Sequence, residues 1–421
     1  MIMAMIRPET EMNDSGIEWI GDIPKEWSVG KVKHEFYATK TIVGDKVNDY
    51  ERLALTLNGV IKRSKDAGDG LQPEKFDGYQ ILKEHELVFK LIDLANVSTS
   101  RVGLSPYTGI VSPAYIVLHH RKDMNPRYGE YYFLSMWMNE VFNHIGGDGV
   151  RSALNAKDLL NIPYLKVSPD EQQAIADYLD ETCSKIDEII AEAKASIDEY
   201  EKLKQATIDE NILGYDSVHI KLRQLGSLKN GLNFSHSDDV ANIKFLGVGC
   251  FKDNMILSEV DDFADEHIDF EISEEYLLSD GDIVFVRSNG SKELVGRSIM
   301  VENIDYPVTF SGFCIRFRNM HTELVDNRFL LYYFRTTHFK QSLLKYSNDS
   351  TNINNLNQEM LNAIRINAPV IAEQKLLVKK MAEQVFAFDS LIAEKESLIN
   401  DLEAYKKSLI YEVVTGKRRV V

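Results

Sequence analysis

Apolar side chains at Ile175, Leu179, Ile186, Ile190 and Ile197 recur at intervals of four and seven, with mostly polar or charged residues between them. That spacing predicts one long helix with a coiled-coil seam. A second stretch repeats the pattern at Leu377, Met381, Val385, Phe388, Ile392, Ile399, Leu402, Tyr405, Leu409 and Val413. The stretches align without a gap at an offset of 202: Glu171 meets Glu373, Asp187 meets Asp389, Lys204 meets Lys406 and Gly214 meets Gly416. A register shared over so long a span marks an internal duplication. The first helix should start at Pro169, with Ser168 as N-cap and Glu171 completing a capping box. Asn367 or Pro369 should begin the second, and Gly214 and Gly416 should stop the two.

A mixed segment precedes each helix. "ELVFKLID" (Glu86 to Asp93) and "DIVFVRSN" (Asp282 to Asn289) are short apolar runs entered from turns, which predicts buried strands. "GIVSPAYIVLHH" and "TFSGFCIRFRN" add a strand pair each, sharing Ser112 and Ser311. "YGEYYFLSMWMNEVF" and "VDNRFLLYYFRTTHF" predict amphipathic helices, and "GGDGVRSALN" and "SNDSTNINNLN" predict loops. The order is domain, long helix, domain, long helix.

The 421 residues suit two or three domains. A net charge of −17 argues against nucleic acid until its distribution is read. Residues 170–210 hold thirteen acids and four bases, and residues 253–275 hold ten acids and no base. The remainder is near neutral, so local basic loops could meet DNA with part of the charge supplied by partners. Cys183, Cys250 and Cys314 are too scattered for a disulfide framework or a Cys-x-x-Cys metal site. With no apolar run long enough to span a bilayer and no secretory signal at the start, the expected setting is cytoplasmic, with no membrane partner.

Several sequences imitate catalytic motifs. Asn161-Ile-Pro-Tyr164 lacks the first proline of the amino-methyltransferase motif, and Gly247-Val-Gly249 lacks a third glycine and a helix. Pro169-Asp170 with Glu192-Ala-Lys194 imitates a nuclease pattern, but on one helix Asp170 and Lys194 stand about 36 Å apart. There is no phosphate-binding Gly-x-x-x-x-Gly-Lys-Ser/Thr loop. His119-His120 ends a strand, as a surface pair rather than a metal site. The chain is expected to be non-catalytic, with no metal site and no cofactor of its own.

The arrangement resembles the specificity subunit of type I restriction-modification systems over nearly the whole chain. The resemblance is carried by "DSGIEWIGDIPKEW", "GIVSPAYIV", "LLNIPYLKVSPDEQQAIADYLD", "LIYEVVTGKRRV" and the duplication. The copies differ in spacing, with Pro169-Asp-Glu-Gln in one and Pro369-Val-Ile-Ala-Glu-Gln in the other. The resemblance implies an α+β architecture: two similar mixed α/β target-recognition domains, joined and separated by two long antiparallel coiled-coil helices in a pseudo-two-fold duplication. The expected divisions are an N-terminal extension (1–26), target-recognition domain 1 (27–160), a central spacer helix (161–214), target-recognition domain 2 (215–365) and a C-terminal spacer helix (366–421). It further implies that each domain reads half of a bipartite double-stranded DNA site and that the helices set the gap. Two modification subunits, which methylate adenine, and the restriction subunits, which are translocase and nuclease, would dock on this frame. S-adenosylmethionine, ATP and Mg would bind those partners. The rival reading is a coiled-coil scaffold with two ligand-binding modules and no DNA role.

Base readout needs forked donors and amides, and phosphate contacts need Lys, Arg and short polar groups. In the first domain "NGVIKRSKDAGDG" reads as a basic, Gly-flanked loop. Its candidates are Lys62, Arg63, Ser64 and Lys65, followed by Arg101, Arg151 and Asn155. In the second they are Lys229, Asn230, Arg287, Asn289, Lys292, Asn352 and Asn354. The competing reading of each is a solvated loop residue.

Overall fold

The computed structural model describes residues 4–65, 75–92, 102–145, 153–213, 218–234, 240–252, 254–290, 294–345 and 355–420. The chain divides into two compact units, residues 1–193 with 397–421, and residues 194–396.

In the second unit the central strand Ile283–Val286 is wholly buried, because both faces of its sheet are covered. Successive side chains point to opposite faces. Ile283 and Phe285 therefore join one core with Tyr333, Phe334 and Phe339, while Val284 and Val286 join another with Phe310, Leu246 and Cys314. The sheet runs Gly226–Asn230, Cys314–Asn319, Ile283–Val286, Ser298–Val301, Ile256–Leu257. Beneath it lies a three-stranded sheet in which Ile243–Leu246 runs parallel to Val308–Phe310.

The first unit repeats this plan. Its four-stranded sheet runs Phe36–Ala38, Ile116–His120, Leu87–Phe89, Val102–Leu104. A second sheet runs Gly59–Arg63, Arg52–Thr56, Gly109–Val111, Gln80–Leu82, again with one parallel pair. Leu53, Leu55, Val60 and Val88 fill the space between these sheets. On the other face Phe89 meets Phe133 edge-on at 4.9 Å, and Tyr132 meets Tyr164 at 4.5 Å.

The long helices are Pro169–Leu213 and Ile371–Val414, of 45 and 44 residues. Each contributes one end to each unit. In the first unit Lys406 Nζ lies 2.6 Å from Asp187, and in the second Lys204 Nζ lies 2.9 Å from Asp389. Residue numbers rise along one helix as they fall along the other, so the pairing is antiparallel, and the two ion pairs are copies of each other across the duplication. Ile175, Leu179, Ile186, Ile190, Leu377, Met381, Val385, Ile392, Ile399, Leu409 and Val413 are buried as the seam requires.

The glutamine of each Glu-Gln pair fixes a helix start. Gln172 is buried; its amide donates to Val167 O at 2.8 Å, and its Oε1 accepts from Asn125 N at 2.9 Å. Gln374 does the same with Pro369 O at 2.7 Å and Asp326 N at 2.8 Å. Asn125 and Asp326 are themselves the N-caps of Pro126–Met138 and Asn327–Tyr333. One side chain thus ties the long helix to the next helix of its unit. Tyr132 and Tyr333 make a second matched tie, to Pro163 O and Arg365 O at 3.0 and 2.6 Å.

Four local expectations differ from the structure. Glu171 does not close a capping box: its carboxylate accepts from Arg7 and from the Trp27 indole, both at 2.9 Å, which draws the N-terminal segment onto the helix. The second helix starts at Ile371, because Asn367 belongs to the strand Arg365–Ala368, paired with Val218–Lys221. Tyr405 faces outward at 47% exposure; its neighbour Lys406 turns toward Asp187. Both expected amphipathic helices are split: "YGEYYFLSMWMNEVF" between Pro126–Met138 and Val141–Ile145, and "VDNRFLLYYFRTTHF" between Asn327–Tyr333 and Thr337–Leu344, the last capped by Thr336, which accepts from Phe339 N at 3.1 Å. Gly416, at φ +75°, follows the end of the second helix as expected, while Gly214 lies outside the described residues. The strand Ala4–Ile6 pairs with Arg418–Val420, and Tyr411 donates to Ile20 O at 2.9 Å, so the N-terminal segment closes over the end of the second helix.

Candidate nucleic-acid interface

The basic run of the first unit is a hairpin rather than a loop up to Arg63. Strands Arg52–Thr56 and Gly59–Arg63 pair directly, and Gly59 takes the positive φ (+85°) that the tight turn needs. Lys62 and Arg63 end the outer strand, exposed to solvent, and Ser64 and Lys65 follow. Lys62 sits 2.6 Å from Glu51 and 5.0 Å above the Tyr107 ring. The hydrogen bond to Glu51 raises its pKa, so it stays cationic. Lys65 donates to Val47 O at 2.7 Å, and Arg52 lies over the Phe76 ring at 5.3 Å. These residues border a cleft of about 470 Å³ whose lining holds Arg52, Lys62, Arg63 and Lys65 against Asp49 and Glu51. A net-positive cleft with aromatic neighbours suits a phosphate backbone.

In the second unit the chosen residues separate. Lys229 and Asn230 are adjacent on one strand and so point to opposite faces. Lys229 is held 2.8 Å from Glu275 and 4.4 Å over Tyr276, its charge offset and its pKa raised by the Glu275 hydrogen bond. Asn230, the last residue of its strand, accepts from Gln358 at 3.0 Å. Arg287 follows the central strand and reaches Gly312 O at 3.4 Å, with its backbone N–H on Phe313 O at 2.7 Å. Asn289 is exposed beyond it. Arg287 lies at the Gly312–Phe313 turn, and Asn230 ends the neighbouring strand. Phe313, which sequence reasoning passed over, stands 58% exposed there; its only signal was an aromatic in the turn "SGFC".

Asn155 is engaged otherwise. Its Oδ1 caps Ala156–Asn161 by accepting from Lys157 N and Asp158 N at 2.8 and 3.1 Å, and Asp158 completes the box. Asn357 caps Gln358–Ala363 at the matching position of the second unit. Arg101, Arg151, Lys292, Asn352 and Asn354 lie outside the described residues. Residues bordering those segments are joined in the same way in both units, Leu154 N to Leu91 O at 2.9 Å and Leu356 N to Arg287 O at 2.8 Å.

Among the described residues no cluster of three His, Cys, Asp or Glu side chains is placed to hold a metal, and no helix is long and apolar enough to cross a membrane. His119 is paired with Glu86 at 2.6 Å and contacts Thr39 Oγ1 at 2.7 Å. The Glu86 hydrogen bond raises the His119 pKa above its ordinary value. Burial pushes the Glu86 carboxyl up, but the hydrogen bonds from His119 and Lys83 N outweigh it, and the net direction is down. The three cysteines are free and buried.

Residues 216–404 match the family described as the type I restriction modification DNA specificity domain. Among curated proteins, the MjaVIII type I restriction enzyme specificity subunit of Methanocaldococcus jannaschii is 27% identical over 318 residues, 69% of this chain and 70% of that protein. The EcoKI specificity subunit of Escherichia coli is 27% identical over 146 residues, 35% of this chain, and the match spans only 31% of that protein. A solved chain from a study of complex assembly and conformational transition of the type I R-M system superposes with a TM-score of 0.72, covering 94% of this chain and 99% of its own, at 12% identity. At that identity the likeness is one of fold.

Proposed function

We propose that this chain, a member of the type I restriction-modification specificity-subunit family, is the DNA-reading and scaffolding subunit of such a system. Each unit reads one half of a bipartite site. The basic cleft around Lys62 and Arg63 meets the phosphate backbone, and donors such as Arg287 and Asn289 reach base edges. The paired long helices carry two modification subunits, which supply S-adenosylmethionine and adenine methylation. Restriction subunits with ATP and Mg join the same frame. The chain itself performs no catalysis; it positions DNA for its partners.

The observation that supports this reading most is the duplication carried through to single atoms. Gln172 and Gln374, Tyr132 and Tyr333, Asn155 and Asn357, and the ion pairs of Lys204 and Lys406 repeat in two units of one sheet order. A split DNA site calls for such repetition; a scaffold with two ligand-binding modules would show it too, and the likeness to DNA specificity subunits favours the first reading. The test is co-expression with the products of its neighbouring genes and co-purification of an adenine methyltransferase among them. The complex should transfer methyl groups from S-adenosylmethionine to DNA, and the chain alone should not. Transfer by the chain alone, or no association with that methyltransferase, would refute the proposal.

A further inference from the structure

A groove of about 940 Å³ opens in the second unit, lined by its parts of both long helices and by Thr337–Leu344. Its floor is apolar, with Phe334, Phe339 and Val385, and its basic groups are Lys204, Arg297, Arg335 and Lys340. Lys204 is taken up by Glu201 and Asp389, both at 2.9 Å. Arg335 is not matched in this way. Its Nη2 donates to Ser298 O at 3.3 Å, but its Nε is buried without a hydrogen-bond partner. Among the described residues no carboxylate lies at ion-pair distance from it. Burial, with Arg297 nearby, brings its pKa down to about 10. A largely buried guanidinium with no carboxylate beside it costs stability unless an anion meets the part of its fork that lines the groove.

The duplication shows that the fold does not need this arginine. Tyr332-Tyr333-Phe334-Arg335 matches Tyr131-Tyr132-Phe133-Leu134 of the first unit, where leucine takes the same place. The groove is of the size that encloses a small molecule, and a guanidinium fork matches two oxygens of a phosphate.

We propose that this groove binds a small phosphate monoester with an apolar body. Arg335 takes the phosphate, Arg297 and Lys340 add positive charge, and Phe334, Phe339 and Val385 cover the body. The site does not depend on the DNA-reading role, since it is built from residues of one unit.

The test is calorimetric titration of the purified full chain with phenyl phosphate and with 1-naphthyl phosphate, inorganic phosphate serving as the control without a body. Both esters should bind and inorganic phosphate should bind more weakly. Arg335→Leu should weaken ester binding at least roughly tenfold, the effect of losing one charge-assisted contact, with melting unchanged or raised. Ala393→Phe, at an exposed helix position lining the groove, should block binding without touching the core. The proposal is overturned if neither ester binds wild type at millimolar concentration, if folded Arg335→Leu binds equally well, or if Ala393→Phe leaves binding intact. Displacement of the esters by random-sequence duplex DNA would also overturn it, assigning the site to the nucleic-acid backbone.

Discussion

Lys62, Arg63 and Lys65 gather on one cleft because a hairpin and its tail bring them there, and each supplies a cation that can displace the counterions condensed on a phosphate backbone. Replacing all three by Ala should weaken DNA binding by the assembled methyltransferase on every sequence. It should also flatten the slope of log affinity against log salt by about one per lost contact. If Arg63 reads a guanine, its loss alone costs about 1–3 kcal/mol at one base pair; unchanged binding and slope in the triple variant would remove the cleft from the interface. A second residue-scale effect concerns His119. Its folded pKa is raised, so its contribution is complete below its ordinary 6.5 and is lost as pH rises through the folded value. Glu86 is lowered, so its contribution is complete above its ordinary 4.5 and is lost as pH falls. The pair should therefore stabilise most between those two values, and His119→Gln should flatten the decline in melting temperature above about pH 6.5. An equal decline in the variant would assign it to other groups. These pairings were not legible in the sequence. Glu171 fits a capping box three residues after Ser168, yet its partners Arg7 and Trp27 are far off in the chain, and local spacing cannot rank a distant arginine against a nearby N–H.

Among elements, the long helices were the most legible, because a seam repeated at a constant offset constrains every turn at once. Their first residues were less so: Asn367 is polar and near a proline, but its strand pairing with His219 overrides the helix-start signal. The runs "GIVSPAYIVLHH" and "TFSGFCIRFRN" were legible as two strands each, Gly109–Val111 and Ile116–His120, and Val308–Phe310 and Cys314–Asn319, but the two strands of each run join different sheets rather than pairing with each other. The hairpin holding Lys62 was not, since its outer strand carries only Val60 inward and then turns basic. The glutamines at the helix starts give the test at this scale. Gln172→Ala or Gln374→Ala leaves a buried N–H and a buried carbonyl without partners, at about 1–3 kcal/mol for each group. Calorimetry should show a clear fall in melting temperature for either variant, whereas Lys406→Ala, breaking a pair with an exposed partner, should cost only about 0–1 kcal/mol. Equal effects for glutamine and lysine variants would contradict the assignment of the glutamines as ties.

For the whole molecule, the two units share one plan but not one surface, and this is why the plan could be read and the bases recognised could not. Core positions repeat because they answer the same packing demand. Leu134 against Arg335, or Leu91 against Arg287, show that positions at the ends of the shared elements are free to diverge. The helices convert residue count into length at about 1.5 Å each, so four residues inserted between Ala193 and Ser196 add roughly 6 Å and nearly one turn. With DNA rising about 3.4 Å per base pair, the gap between half-sites should widen by about one or two base pairs while the half-sites keep their sequences. An active insertion variant that methylates the original gap would show that the helices do not set it.

The central claim is that this chain chooses the DNA sequence, and it is tested most directly by mapping adenine methylation across a genome in cells expressing the chain with its methyltransferase. Two short half-sites separated by a fixed gap are expected. Exchanging residues 215–365 for the corresponding segment of another specificity subunit should replace one half-site and leave the other unchanged. Methylation whose sequence is the same with and without the chain, or unaltered by the exchange, would contradict the account.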